Sequence, residues 1–541
     1  MNGLMMDMPL TITTIMNFAE KVHANQEIVS VTADNPLHRY TFGDSFKRAR
    51  QLANALKDLG AKQGDCIATL AWNDYRHLEL YYGISCSGMI CHTINPRLFE
   101  EQLEYIINHA EDQWVFVDVM FVPLLAKMQD KIPHVKGFVV LTDEAHMPES
   151  DLRDLHCYET LISDKPDTFD FPELDENLAC ALCYTSGTTG NPKGVLYSHR
   201  STILHCYAAA LPDVFNISVN DTVMPIVPMF HVNGWGNAYS CLMIGSKVVL
   251  PGPKMGDGET LCNLINGEKV TKSAGVPTVW MALLQYLDKT GQKVESLESL
   301  TVGGAACPVS VMKAFDERYN VWMHNAWGMT EMSPLGTYNS LSKEQKALPE
   351  EELDIVRQKA GRPIYGVELK IVDADNNELP WDGESSGAVK VRGPWITNRY
   401  FKAEEENIDA DGWFETGDVA TVDSNSFMNI TDRTKDVIKS GGEWISSIEL
   451  ENCAADHPQV AEAAVVGISH PRWTERPLLV VVTHEGETID PAEMLAWFDG
   501  KVATWWVPSD VVFVESLPHT ATGKLSKKDI RVQFKDHTWS K

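Results

Sequence analysis

The sequence predicts an α/β protein of two domains, a large N-terminal one built on helix-covered, mostly parallel sheets with a small β unit, and a small α+β C-terminal one. Three observations carry this. At 541 residues the chain is too long for a single core, since cores stop growing beyond roughly 250–300 residues. Short apolar runs of strand length alternate with helical patterns through most of the chain, the signature of parallel strands covered by helices. From about residue 434 the rhythm changes to a compact mixture of short strands and helices, of the size of a small domain. The predicted division is therefore 1–433 and 434–541, with the joint in the polar run 431–436.

Taken in order, a helix is predicted from Thr41 on, where Phe46, Ala49, Ala53 and Leu56 recur at helical spacing and Gly60 stands at the C′ position. Strands follow at 66–70, 114–117 and 138–141, with a helix through 78–82 and helical patterns between the later strands. Further strands are predicted at 247–250 and 300–302, and helices at 279–287 and 309–319, the second with Pro308 at its start. The glutamate-rich piece 343–357 reads as a solvated surface segment. Runs 367–372 and 387–392 read as strands of the small β unit. In the C-terminal domain, strands at 463–466 and 478–482 flank helices at 445–455 and 491–501.

Composition excludes several functions. A formal charge of −29 argues against a nucleic-acid partner, which would want a basic face, and against stable attachment to an anionic membrane. The eleven cysteines are odd in number, and many, such as Cys86, Cys206 and Cys241, lie in apolar surroundings, as buried free thiols of a reducing compartment do. The pair Cys180 and Cys183 has no second pair to complete a metal site and reads as core. No basic stretch followed by an apolar one opens the sequence, and no apolar run approaches the ~18 residues of a membrane span. A cytoplasmic protein is expected.

Chemistry concentrates in Tyr184-Thr185-Ser186-Gly187-Thr188-Thr189-Gly190-Asn191-Pro192-Lys193-Gly194, between apolar runs at 178–183 and 195–198. Glycines let backbone N–H groups converge on an anion, and hydroxyls with a lysine suit a polyphosphate. Two familiar phosphate loops fail on spacing. A Walker A loop needs Gly-Lys-Ser/Thr after four residues, whereas here Pro192 stands in that frame and Gly194 follows Lys193. A dinucleotide fingerprint needs a glycine two places after Gly187, where Thr189 stands. Five other segments stand out. His231 lies in Pro228-Met229-Phe230-His231-Val232-Asn233-Gly234-Trp235. Gly303-Gly304-Ala305-Ala306 ends a strand with small residues, as a flat ring against backbone requires. Ala326-Trp327-Gly328-Met329-Thr330-Glu331 sets a hydroxyl beside a carboxylate, a ligand pair for Mg²⁺ next to phosphates. Trp413-Phe414-Glu415-Thr416-Gly417-Asp418 offers a carboxylate to two ribose hydroxyls, and Pro518-His519-Thr520-Ala521-Thr522-Gly523-Lys524 is a loop ending in lysine. Singly, each reads as well as an ordinary turn or cap.

In this order, the segments resemble the adenylate-forming superfamily of acyl-CoA synthetases, luciferases and peptide-synthetase adenylation domains, over nearly the whole chain from about Thr41 to Lys524. Within it, the segment from His231 to Trp235 is most similar to short- and medium-chain fatty acyl-CoA synthetases. The resemblance implies the adenylating fold with a mobile C-terminal domain, ATP, Mg²⁺ and coenzyme A, and a small carboxylic acid joined first to AMP and then to CoA. It implies that Thr185 to Lys193 hold the β- and γ-phosphates, that Thr330 and Glu331 meet the α-phosphate and Mg²⁺, and that Gly304, Ala305 and Ala306, with Ala326 to Met329, contact the adenine side. Asp418 and Arg433 would bind ribose. Lys524 would reach the α-phosphate and the attacking carboxylate. Lys435 would be the hinge that exchanges Lys524 for the CoA-side loop Ser440-Gly441-Gly442-Glu443-Trp444. His231 would line the junction between acyl pocket and CoA channel, and Trp235 and Gly303 the acyl pocket. An indole at Trp235 implies a short acid, including a thioether such as 3-methylmercaptopropionate. The resemblance also implies a homodimer.

Two positions depart from the family pattern, Thr474 where relatives usually carry glycine, and Glu415 where a basic or aromatic residue is commoner. Neither touches the implied catalytic residues. Three rival readings remain: a medium-chain synthetase without thioether preference, an adenylating enzyme that loads a carrier protein, and a non-catalytic nucleotide-binding regulator. The presence of Lys524 and Glu331 argues against the last.

Overall fold

Strands buried on both faces must be apolar throughout, and those runs are where the sequence locates strands best. In the computed structural model, which describes residues 1–185, 191–440, 443–519 and 525–539, strands Cys66–Leu70, Trp114–Val117 and Lys247–Leu250 lie where the apolar runs place them. The described residues form two compact units, one of 1–185, 191–368 and 392–414, the other of 369–391 and those described from 415 on. The small β unit thus groups with the C-terminal part of the chain.

The first unit holds two sheets. Strands Cys66–Leu70, Ile90–Thr93, Trp114–Val117, Gly137–Val140, Leu155–Cys157 and Ala179–Tyr184 run parallel, and Gly194–Ser198 closes one edge antiparallel to Ala179–Tyr184. Val115, Val117, Phe138 and Val140 of this sheet pack on Leu103, Ile106 and Ile107 of helix Glu100–Ala110. The second sheet has nine strands around a parallel centre of Glu27–Ser30, Lys247–Leu250, Thr222–Pro225, Lys272–Gly275, Ser299–Val302 and Trp322–Gly328. Its core sets Val249, Leu300 and Val302 against Trp280, Leu283 and Phe315 of helices Pro277–Thr290 and Val309–Tyr319. Helix Phe42–Asp58 begins at the predicted Thr41, whose hydroxyl accepts the Asp44 N–H while the Asp44 carboxylate reaches back to the Thr41 N–H, satisfying two orphan donors.

The second unit holds a four-stranded sheet, Glu368–Val372, Gly387–Arg392, Phe414–Val422 and Met428–Arg433, and a five-stranded, largely antiparallel one. In the latter, strands Val460–His470 and Thr474–Thr483 alternate their side chains between two cores. Val465, Leu479 and Val481 meet Leu450, Ala454 and Phe498 on one face, and Ala464, Val466, Leu478 and Val480 meet Ile530 on the other.

Some elements differ from expectation. The segment 343–357 is not a plain solvated stretch. Helix Glu350–Gln358 buries Arg357, which stacks 4.4 Å from the Trp322 ring and pairs with Asp316. The helix predicted over 445–455 starts at Ser447, because Ile445 belongs to strand Glu443–Ile445, and that over 491–501 ends at Ala496. Cys180 and Cys183 are core as predicted, and burial pushes the Cys180 thiol up to about 12, far from a reactive thiolate.

The backbone at Thr474 favours the glycine expected there. Thr474 pairs with Ser440 and His470 at the start of its strand with φ +72°, in the left-handed region where a β-branched residue is strained and glycine is not. Thr474→Gly is therefore expected to stabilise this sheet by about 1 kcal/mol, the cost of the left-handed conformation for a side chain bearing Cβ. Slower hydrogen exchange of the amides in strand Thr474–Thr483 is the check, and unchanged or faster exchange would refute it.

Candidate active site

In a parallel sheet, loops leaving the carboxyl ends of neighbouring strands converge on one edge, where open α/β sheets place their ligands. Strands Thr222–Pro225, Ser299–Val302 and Trp322–Gly328 run parallel in the second sheet, so the segments that follow them, 226–236, 303–306 and 329–331, share that edge. These carry His231, Trp235, Gly303, Gly304, Ala305, Ala306, Met329, Thr330 and Glu331. Gly304, Ala305 and Ala306 are exposed there, leaving bare backbone for a flat group.

The turn after Trp327 is built by close approach. Met329 N–H donates to the Pro334 carbonyl at 3.0 Å, and a Cβ on Gly328 would sit 1.9 Å from that oxygen, so only glycine fits. Ala326 pairs with Tyr338, and Trp327 with Thr337, across the antiparallel strand Leu335–Tyr338. Three further bonds fix the buried Thr330 and Glu331. Tyr197 Oη donates to the Thr330 carbonyl at 2.6 Å, Thr397 N–H to the Glu331 carbonyl at 2.8 Å, and Tyr400 Oη to Glu331 Oε1 at 2.6 Å. Burial and the neighbouring Glu331 carboxylate raise the Tyr400 phenol well above its ordinary range, so it stays a donor.

The hydroxyl-rich loop joins strands Ala179–Tyr184 and Gly194–Ser198, with Tyr184 opposite Gly194 and the Thr185 N–H bonded to the Lys193 carbonyl at 2.9 Å. Ser186, Gly187, Thr188, Thr189 and Gly190 lie outside the described residues, as do Gly441, Gly442 and Lys524. The Lys193 ammonium lies 4.7 Å from the centroid of the Tyr400 ring. One phenol thus joins the lysine of the loop to the carboxylate of the 326–331 segment. Phe401 N–H donates to the Gly194 carbonyl at 2.8 Å, and a Cβ on Gly194 would come within 3.1–3.2 Å of Phe401, Leu182 and Tyr184.

Trp235 follows a run of left-handed backbone, with positive φ at Val232, Asn233, Gly234, Trp235 and Gly236. Such strain in non-glycine residues persists only where packing overdetermines it, commonly at functional sites. The buried indole rests on Gly303, where a Cβ would meet it at 3.0 Å.

In the second unit, Arg433 Nε meets Asp418 Oδ1 at 3.0 Å across strands Phe414–Val422 and Met428–Arg433, so the two residues assigned to ribose lie side by side. Lys435 sits in the turn where the Asp436 and Val437 N–H groups bond the Arg433 carbonyl, and burial pulls its ammonium below the usual lysine range. Ser440, Glu443 and Trp444 fall on the paired strands Ile438–Ser440 and Glu443–Ile445.

Tyr197, Thr397 and Tyr400 were missed in the sequence. Tyr400 lies in Asn398-Arg399-Tyr400-Phe401, which carries no motif of its own, and its partner is 69 residues away.

The chain belongs to the AMP-binding enzyme family, whose profile matches residues 18–401, while that of the AMP-binding enzyme C-terminal domain matches residues 449–524. It is 52% identical to 3-methylmercaptopropionyl-CoA ligase of Ruegeria lacuscaerulensis, over 99% of both chains. It is 47% identical to medium-chain-fatty-acid–CoA ligase of Ectopseudomonas oleovorans, over 99% of this chain and 98% of that one. Among solved structures, the anthranilate CoA ligase AuaEII in complex with anthranoyl-AMP superposes with a TM-score of 0.84 at 25% identity, covering 97% of this chain and 98% of that one. Among the described residues, no helix is long and apolar enough to cross a membrane.

His205 bears on the scaffold of this edge. Its Nε2 accepts the Leu335 N–H at 3.4 Å, and complete burial pushes the imidazole down to about 3. The unfolded chain then takes up the proton first, so this contribution to stability is full above the unfolded value near 6.5 and is lost as pH falls towards 3. His77, His199 and His324, pushed to about 4, act with the same sign. Urea unfolding between pH 7.5 and 5.5 should show stability falling with pH, and His205→Gln should make the slope shallower by about one proton, ~1.4 kcal/mol per pH unit at most. An unchanged slope would show that His205 titrates in the fold as it does in the unfolded chain.

Proposed function

We propose that the protein is an ATP-dependent, AMP-forming acid–CoA ligase of the cytoplasm, acting on a short or medium-chain carboxylic acid with 3-methylmercaptopropionate as first choice. The observation that carries this is the Lys193–Tyr400–Glu331 array, which sets the phosphate-loop lysine beside the Thr330–Glu331 pair. The family and the activities of the relatives named above supply the reaction class.

A carboxylate cannot be thioesterified directly, because oxide is a poor leaving group. In the first step an oxygen of the acid forms a bond to the α-phosphorus of ATP, the bond to the bridging oxygen of pyrophosphate breaks, and acyl-adenylate results. The loop from Thr185 to Lys193 holds the β- and γ-phosphates, Gly304 to Ala306 lie along the adenine, and Asp418 and Arg433 hold the ribose. Lys524 neutralises charge as it develops on the α-phosphate and the attacking oxygen, an effect typically worth about 3 kcal/mol in the transition state. Thr330 and Glu331, a hydroxyl and a hydrogen-bonded carboxylate side by side, fit a hard cation. Mg²⁺ bound there would offset phosphate charge.

In the second step the CoA sulfur bonds to the acyl carbon and AMP departs. Lys524 must first withdraw, for which Lys435 is the hinge of a mobile domain 434–541, and the loop Ser440 to Trp444 takes its place on the CoA side, as conformational steps complete other sites. His231 lines the junction of acyl pocket and CoA channel. Trp235, held against Gly303, walls the acyl pocket. The resemblance to the adenylate-forming superfamily supports a homodimer.

The test is CoA- and ATP-dependent thioester formation on acids from acetate to decanoate, with 3-methylmercaptopropionate included. Preference for short acids and the thioether acid, lost in Lys524→Ala, is expected. Pyrophosphate release without thioester would transfer the acyl acceptor to a carrier protein, and no reaction with any acid would reopen the regulator reading. In the same panel, Trp235→Ala should shift preference towards longer acids. An unchanged chain-length profile would remove Trp235 from the pocket wall.

A further inference from the structure

Tyr400 makes two contacts that bear on the reaction without being assigned any part in it. Its hydroxyl donates to Glu331 Oε1 at 2.6 Å, and its ring carries the Lys193 ammonium 4.7 Å from the centroid. An ammonium and a carboxylate thus meet at one phenol, and opposite charges attract each other. Pairing would take the carboxylate from the cation and the ammonium from the phosphates. Yet among the described residues Lys193 makes no ion pair, and what lies against it is the face of a phenol. The phenol is firmly placed. Phe401 N–H bonds the Gly194 carbonyl on one side of it, and Thr397 N–H bonds the Glu331 carbonyl on the other. His109 packs on Phe401 with ring centroids 5.6 Å apart, and Lys402 Nζ reaches Glu111 Oε1 at 2.5 Å.

We propose that Tyr400 is a positioning residue that keeps the Lys193 ammonium and the Glu331 carboxylate from pairing, so that one is held for phosphate and the other for a divalent cation. This rests on the reading that the site binds ATP with Mg²⁺. The hydroxyl does for the carboxylate what outer hydrogen-bond partners do for metal ligands, fixing its orientation. The ring gives the ammonium a resting place from which it can meet an anion, since a ring face attracts a cation without cancelling its charge.

The experiment measures Mn²⁺ binding by electron paramagnetic resonance on the full-length protein, with a non-hydrolysable ATP analogue at a concentration that saturates each variant, and analogue binding in EDTA by calorimetry. Tyr400→Phe keeps the ring and removes the hydroxyl. It should weaken Mn²⁺ binding by about tenfold, the usual effect of losing such a partner, and leave metal-free nucleotide binding unchanged. Tyr400→Leu removes both contacts and should weaken both. Adding Lys193→Met to Tyr400→Leu should recover Mn²⁺ binding to the level of Tyr400→Phe, because the competing ammonium is gone. A merely structural role for Tyr400 predicts no such recovery. Wild-type Mn²⁺ binding in Tyr400→Phe would overturn the proposal, and so would a double variant no better than Tyr400→Leu. Should Tyr400→Leu not fold, Tyr400→Phe decides. A wild-type protein that binds the Mn²⁺–nucleotide pair but forms no thioester would overturn the ligase reading and leave this one standing. One that binds no nucleotide would overturn both.

Discussion

The hydrogen bond from Phe401 N–H to the Gly194 carbonyl is the contact from which the site is hung. Gly194 suits this close approach, since a Cβ there would lie 3.1–3.2 Å from Phe401, Leu182 and Tyr184. Once that bond is made, Tyr400 is turned towards Lys193, and the chain back to Trp395 is led along the 330–335 turn. There Ser333 Oγ donates to the Trp395 carbonyl at 2.9 Å, and Trp395 Nε1 to the Leu335 carbonyl at 3.1 Å. A short segment with no regular structure thus ties the edge strand of one sheet to the ligand-bearing turn of the other.

The turn that carries Trp235 is built the opposite way. Val232, Asn233 and Trp235 hold left-handed backbone at a cost of roughly 1–2 kcal/mol each. Burying a large apolar side chain contributes about 1.5–3 kcal/mol, and Val232 and Trp235 are both buried, so packing offsets the strain with little to spare. The indole is consequently fixed on Gly303 by a balance in which neither term dominates. Substitutions that shrink the indole relieve no strain but remove the packing, so their effects should not be read as loss of a pocket wall alone.

What the sequence disclosed follows the same physics. Apolar runs such as Trp114–Val117 were legible because burial on both faces leaves no other composition open to them. Strands such as Lys272–Gly275 and Leu335–Tyr338 were not, since Lys-Ser-Ala-Gly and Leu-Gly-Thr-Tyr have no periodicity and their register comes from neighbours far along the chain. Helix Glu350–Gln358 was hidden by its acidic face, while its one buried cation depends on Asp316 and Trp322. The site divides likewise. Glycines, hydroxyls and the Thr330–Glu331 pair advertise their chemistry locally. Tyr400 carries none alone, and only the fold places it between a lysine and a carboxylate. Thr474 lies between these cases, because its mismatch was visible but its left-handed backbone was not.

A chain with a formal charge of −29 must nevertheless bind a polyphosphate. Distant surface carboxylates matter little, because salt screens exposed charges beyond about 8 Å at physiological ionic strength. Affinity is decided within that radius, by backbone N–H groups, hydroxyls and the few cations that are not already neutralised. Many cations in the described part of the chain are neutralised. Arg48 and Arg76, for example, are consumed by Glu79, Glu159 and Asp34 in a largely buried network. In so acidic a protein a lysine near carboxylates will pair unless something prevents it. A ring face beneath Lys193 is such a device, because it attracts the ammonium without cancelling its charge. Within that radius, the aromatic neighbour of this one lysine thus favours nucleotide binding by leaving its charge available.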